Sequence, residues 1–126
     1  MDPVALITCV SLLAVDGDTV KCDGELLRPM GDGTPHVSGF DTPEMPRYAE
    51  CAEEVELGFR AALRMSEMLR TPGLTIEDSG ERDKTQAKRR LVWLRLPDGS
   101  TVGHHLVAEG LARVWTPGSS AQWCED

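Results

Sequence analysis

A chain of 126 residues is long enough to bury one core and too short for two, so one domain over residues 1–126 is expected. Hydrophobic residues at 40% and charged residues at 27% exclude a disordered or fibrous chain. A formal net charge of −8 works against loose attraction to a polyanion, so any nucleic-acid contact must be local.

Val4 to Val15 is rich in Val, Ile, Leu and Thr and reads as a first strand ended by the turn signal Asp16-Gly17. The stretch is too short to span a bilayer. Asp2 stands where a secretory signal carries basic residues, and Val15-Asp16-Gly17 is no cleavage site. The compartment stays open between the cytoplasm and a processed secreted or periplasmic form.

Thr19 to Cys22 reads as the returning strand, closed by Asp23-Gly24, and Leu26 to Arg28 continues it. Gly31-Asp32-Gly33 marks a reversal before a strand over His36 to Phe40, giving an antiparallel meander. From about Ala49 to Arg70 the apolar residues Val55, Phe59, Ala62, Leu63 and Leu69 recur at one-sided helical spacing, with Thr71-Pro72-Gly73 as the stop. Pro46 argues against a helix beginning at Asp41-Thr42-Pro43-Glu44.

Leu74 to Ile76 is a short strand, the polar run through Lys88 a loop, and Leu91 to Leu96 a second strand. A short helix follows over about Val102 to Glu109, with Gly110 placed for the left-handed position after it. Leu111 to Trp115 is extended, and Trp93 and Trp115 are expected to face the core. Strands, a helix, more strands and a small helix suit a closed α+β barrel, mainly β, better than a parallel α/β sheet.

Cys9, Cys22, Cys51 and Cys124 show no C-x-x-C spacing, which argues against a zinc site and leaves free thiols and two disulfides equally open. The one strong positive run is Arg82, Lys84, Lys88, Arg89, Arg90 and Arg95; a solvated loop and a phosphate-steering surface both fit it. His104 and His105 are adjacent on a helix, so they diverge and are read as structural or surface groups.

Two segments carry candidate chemistry. Val15-Asp16-Gly17-Asp18-Thr19-Val20 sets two carboxylates at a strand junction, and Phe40-Asp41-Thr42-Pro43-Glu44 fixes a second pair beside a proline. Hard oxygen donors from Asp18, Asp41 and the Thr42 carbonyl would suit Ca²⁺, leaving Glu44 to act as a base.

Three ordered motifs, Val-Asp-Gly-Asp-Thr-Val at 15 to 20, Gly-Phe-Asp-Thr-Pro-Glu at 39 to 44 and His-Leu-Val-Ala-Glu-Gly-Leu-Ala-Arg-Val at 105 to 114, resemble the staphylococcal-nuclease (thermonuclease) family, in particular its short bacterial branch. The resemblance implies a five-stranded OB-fold-type β-barrel with one longer and one short helix. It implies a Ca²⁺-dependent phosphodiesterase that cleaves DNA or RNA, single-stranded or locally open, with little sequence preference, and a monomer with no membrane partner. In that reading Asp18, Asp41 and Thr42 hold the metal, Asp16 lies in the outer shell and Glu44 activates or orients the attacking water.

The family also supplies two arginines to the phosphate. Counting back from Asp41, the first position is His36, whose substitution for arginine would weaken activity; counting forward from Asp23-Gly24 it is Arg28. A three-residue loop at Gly31-Asp32-Gly33 would set Arg28 across from His36, and a two-residue loop would set it across from Val37. The second arginine is read as Arg89, with Lys84, Lys88 and Arg90 as phosphate-steering neighbours. The alternative reading, motivated by His36, the altered loop before Arg89 and the acidic net charge, is a non-catalytic OB-fold module binding nucleic acid or protein.

Overall fold

The structure is a computed structural model and describes residues 5–44, 48–119 and 121–124; Val4 and Pro46 lie outside them. The fold is mixed α+β and mainly sheet. In chain order the elements are β1 (Ala5–Ile7), β2 (Leu12–Ala14), β3 (Val20–Cys22), β4 (Glu25–Pro29), β5 (Gly39–Asp41), α1 (Ala52–Leu69), β6 (Thr75–Arg82), β7 (Arg90–Arg95), α2 (Val102–Ala108) and β8 (Arg113–Trp115).

Six strands form one sheet in the order β1-β6-β7-β4-β3-β2, and β5 pairs with β8 in a separate two-stranded ribbon. The expected first strand is therefore two strands, and they lie at opposite edges of the sheet. A flat six-stranded sheet would set its edges about 24 Å apart. The five residue-to-residue steps from Ile7 to Leu12 span at most about 18 Å. The sheet must curl to let the chain cross, which gives a half-barrel.

The β3–β4 hairpin follows the sequence closely. Asp23 and Gly24 both take positive φ, 49° and 90°, which is the backbone that an Asp-Gly two-residue turn requires. Cys22 then pairs with Glu25. Next to it, β4 and β7 run parallel, with Arg28 opposite Leu91, a long-range pairing that no local signal announces.

The strand expected over His36 to Phe40 is displaced. His36 has φ 64° and lies in a turn, and β5 begins only at Gly39. β5 pairs with β8 and not with β4, so Gly31-Asp32-Gly33 is not a hairpin loop and neither expected register for Arg28 occurs. The polar run after Ile76 is also more ordered than expected: β6 continues to Arg82 through an irregularity between Asp78 and Arg82, leaving a loop of residues 83–89.

The α1 helix is shorter than expected, and its buried face differs. Glu54, Gly58, Ala61, Met65 and Met68 form the buried stripe, whereas Phe59 and Leu63 are 52% and 62% exposed. Close approach explains this better than hydrophobicity. A Cβ on Gly58 would come within 2.7 Å of the Glu44 carbonyl oxygen, so only a small residue lets the helix lie against that backbone.

Val20, Leu27, Phe40, Met65, Val92, Leu94, Val102 and Leu106 are core residues, and α1 packs on β2 and α2. Trp93 and Trp115 are half-buried and outside this core; the Trp93 indole N–H donates to the Gly33 carbonyl at 2.9 Å. A Trp N–H must find an acceptor when it leaves water, which holds Trp93 at the margin. Thr101 caps α2 by accepting the His104 amide, and Gly110 takes φ 78° as expected.

All four cysteines are paired, Cys9 with Cys22 and Cys51 with Cys124. The first bridge ties the β1–β2 crossing to β3. The second ties the chain's last described residue to the start of α1. No helix among the described residues is long and apolar enough to cross a membrane.

Candidate functional site

The loop from Val15 to Thr19 joins β2 to β3 and is closed by the Val15 amide donating to the Thr19 carbonyl at 2.8 Å. Gly17 sits at its centre because a Cβ there would come within 2.7 Å of the Thr42 side chain and 2.8 Å of Ala61. The contact seats the acidic loop directly against residues 41–44. Phe40 is 1% exposed in the core, so strand alternation turns Asp41 to the opposite side.

Arg28 joins the two acidic segments. Its Nη1 donates to the Asp18 carbonyl and pairs with Asp18 Oδ2, both at 2.9 Å, while Nη2 donates to the Phe40 carbonyl and pairs with Asp41 Oδ1 at 3.2 Å. The guanidinium also lies 5.6 Å from the centre of the Phe40 ring. Only 14% of the side chain is exposed.

Electrostatics separate the four carboxyls. Asp16, whose Oδ1 accepts the Asp18 amide at 3.0 Å, is pushed up to about 7 by burial and then by the charge of Asp18. Burial would also raise Asp18, but Arg28, the hydrogen bond with Asp16, Arg89 and the Thr42 amide outweigh it and hold Asp18 below the usual carboxylate range. Asp41 is raised by burial and by Asp18, against the pull of Arg28. Glu44, on the exposed rim, is raised by partial desolvation and by Asp18, Glu54 and Asp41.

Arg89 reaches the same place from the 83–89 loop. Its Nη1 donates to the Thr19 hydroxyl at 2.7 Å, and that hydroxyl donates to Asp18 Oδ1 at 3.4 Å. Asp83 holds the loop: its carboxylate accepts from the Thr85 and Arg89 amides and the Thr85 hydroxyl, and pairs with Arg89 Nε at 2.6 Å. Burial would raise Asp83, but the bonds from Thr85 and Arg89 lower it.

A cleft of about 500 Å³ opens beside these residues, lined among others by Arg28, His36, Asp41, Lys84, Arg89 and Trp115. A second hollow of about 240 Å³ adjoins it across Asp41 and is lined by Thr42, Glu44, Glu54 and Trp123. Of the residues singled out in the sequence, Asp16, Asp18, Asp41, Thr42, Glu44, Arg28 and Arg89 are gathered around one junction. His36 stands on the cleft wall, its Nε2 3.7 Å from Glu81. Lys84 lines the cleft and Lys88 takes φ 46° in the loop. Arg90 is engaged elsewhere, with Glu25 at 3.0 Å and Asp78 at 2.8 Å.

Sequence reasoning missed Asp83 and Glu54 as organisers. Asp83 had a readable signal, an aspartate at a loop start with threonine two residues on, which favours an Asx turn. Glu54 had none beyond its place three residues after the residue that precedes α1. Cys51, Glu54 and Cys124 offer atoms within 4.8 Å of one another, but both sulfurs are in the bridge and neither is a thiolate ligand. His104 and His105 diverge as expected, to Asp32 at 2.7 Å and Ser100 at 2.9 Å. No family model matches this sequence, and no curated protein was found similar to it.

Proposed function

We propose that this chain is a Ca²⁺-dependent phosphodiesterase of the staphylococcal-nuclease type, hydrolysing DNA or RNA with little sequence preference. The observation that carries the reading is that Arg28, from β4, pairs with both the Asp18 and Asp41 carboxylates while Arg89, from the 83–89 loop, reaches Asp18 through the Thr19 hydroxyl. Counting β1 and β2 as one bent strand gives a five-stranded curled sheet of β1/β2, β3, β4, β6 and β7, which supports an OB-fold-type barrel.

The donor set fits a hard divalent cation. Asp18 and Asp41 already converge on one positive group, the Arg28 guanidinium, and with the Thr42 carbonyl they offer only oxygen. Bound there, Ca²⁺ would offset the phosphate charge and favour ionisation of a coordinated water. Asp16 supports Asp18 from behind through the Asp18 amide. Glu44, with its raised proton affinity, suits the role of base toward a water attacking phosphorus in line with the departing oxygen.

Arg28 and Arg89 are the donors for the charge that builds on the phosphorus oxygens. To do this Arg28 exchanges its carboxylate contacts for phosphate oxygens, while Arg89 keeps Asp83 on Nε and turns its outer nitrogens to the cleft. Lys84 on the cleft wall steers the strand. The arginine missing at His36 is supplied by Arg28, so the reading requires no weakened clamp.

The test is cleavage of denatured DNA and of RNA with Ca²⁺ and with chelator. The expected result is Ca²⁺-dependent cleavage that falls about 10²–10⁴-fold in Glu44→Gln. Absence of Ca²⁺-dependent cleavage, or activity untouched by that substitution, would overturn the proposal.

A further inference from the structure

Glu54 is 5% exposed and has no part in the chemistry proposed above. It lies in the first turn of α1, where a carboxylate is favoured by the helix dipole, and its side chain turns back over the helix start. Oε2 accepts the Glu44 amide and Oε1 accepts the Glu50 amide, both at 2.9 Å. One buried carboxylate thus grips the backbone on both sides of the segment that follows the acidic motif.

Three further contacts support the grip. Gly58, one turn along α1, lets the helix lie flush on the Pro43 and Glu44 carbonyls. The Cys51–Cys124 bridge, with Cys124 Sγ 3.8 Å from Glu54 Oε1, fastens the C-terminal segment over the same helix start. The Arg113 guanidinium holds that segment from the other side, stacked 4.5 Å from the Trp123 ring centre and donating to the Gln122 carbonyl.

We infer that Glu54 is a positioning residue for Glu44, and that the Cys51–Cys124 bridge keeps it in place by fastening residues 121–124 against the start of α1. The inference rests on the proposed role of Glu44 for its catalytic consequence, but the clamp itself is a structural claim. A side chain carrying a proton-transfer group loses rate steeply when its backbone shifts, about 10²-fold for a displacement near 1 Å. Glu44 is on the exposed rim of the site, so its backbone is where such precision must come from.

The experiment combines amide hydrogen exchange with steady-state kinetics on denatured DNA for the wild type, Glu54→Gln, Glu54→Ala and the double variant Cys51→Ala/Cys124→Ala. In Glu54→Ala the Glu44 and Glu50 amides should exchange about tenfold faster or more while Val92 and Leu94 keep their protection. Its kcat should fall about 10²-fold with KM unchanged. Glu54→Gln, which keeps one acceptor oxygen, should lie between, and the double cysteine variant should loosen the same two amides. Unchanged exchange at Glu44 in Glu54→Ala, or faster exchange there with kcat unaltered, would overturn the inference. Should the wild type cleave nothing, the proposed function fails while the exchange data still decide whether the clamp exists.

Discussion

Arg28 and Arg89 both approach Asp18, the first directly and the second through the Thr19 hydroxyl, and they are held in different ways. Arg28 projects from a strand in the middle of the sheet and touches four acceptors in two chain segments, two of them backbone carbonyls. Arg89 ends a loop, neutralised by Asp83 within that loop, and reaches the site through one hydroxyl. The first arginine is part of what brings the acidic segments together, while the second is delivered to a site that exists without it. Stability and activity should therefore separate at these two positions.

Arg28→Ala should have the largest effect. It leaves Asp18 largely buried without its main partner, and breaking such a pair costs up to about 3–5 kcal/mol; with 14% and 18% of the two side chains exposed, the lower end is expected. Cleavage should fall by at least about 10²–10³-fold. Urea unfolding and the DNA assay read the two effects, and an unchanged unfolding midpoint would break the distinction. Gly17→Ala should come next, at about 1–3 kcal/mol, because its Cβ would press Thr42 and Ala61 apart.

Arg89→Ala should cost about 10²–10³-fold in rate and less stability than Arg28→Ala, because its pair with Asp83 closes within one loop whereas Arg28 ties two chain segments together. A loss of stability matching that of Arg28→Ala would show that the two arginines are equivalent after all. The smallest effect belongs to His36→Arg. If Arg28 already occupies the arginine role, the added guanidinium should change kcat by less than about tenfold, and a rise of 10²-fold or more would reassign the role to His36.

The pH dependence sharpens the loop side. Asp83 has a folded pKa below its ordinary 3.8, so its contribution is complete above that value and is lost as pH falls through the lower, folded one. Stability measured from pH 2 to 7 should show a shallower acid limb in Asp83→Asn than in the wild type.

The Asp-Gly hairpin and the α2 boundaries were legible because each rests on a local signal. The partners were less so. Arg28 could be proposed from the sequence but not placed, since its neighbours depend on the parallel β4–β7 pairing and on β5 joining β8, both long-range. The buried face of α1 was misread because Gly58 and Ala61 are selected for size, while Phe59 and Leu63 mimic a core stripe and stay exposed. Disulfide pairing was unreadable, as four cysteines allow three connectivities.

The most direct measurement is the rate of denatured-DNA cleavage against Ca²⁺ concentration for the wild type and Asp18→Asn. The account predicts a saturable rise in the wild type and a curve displaced to much higher Ca²⁺, or flattened, in the variant, whose side chain keeps its size but loses the charge. Superimposable Ca²⁺ curves, or no cleavage by the wild type at any Ca²⁺ concentration, would contradict it.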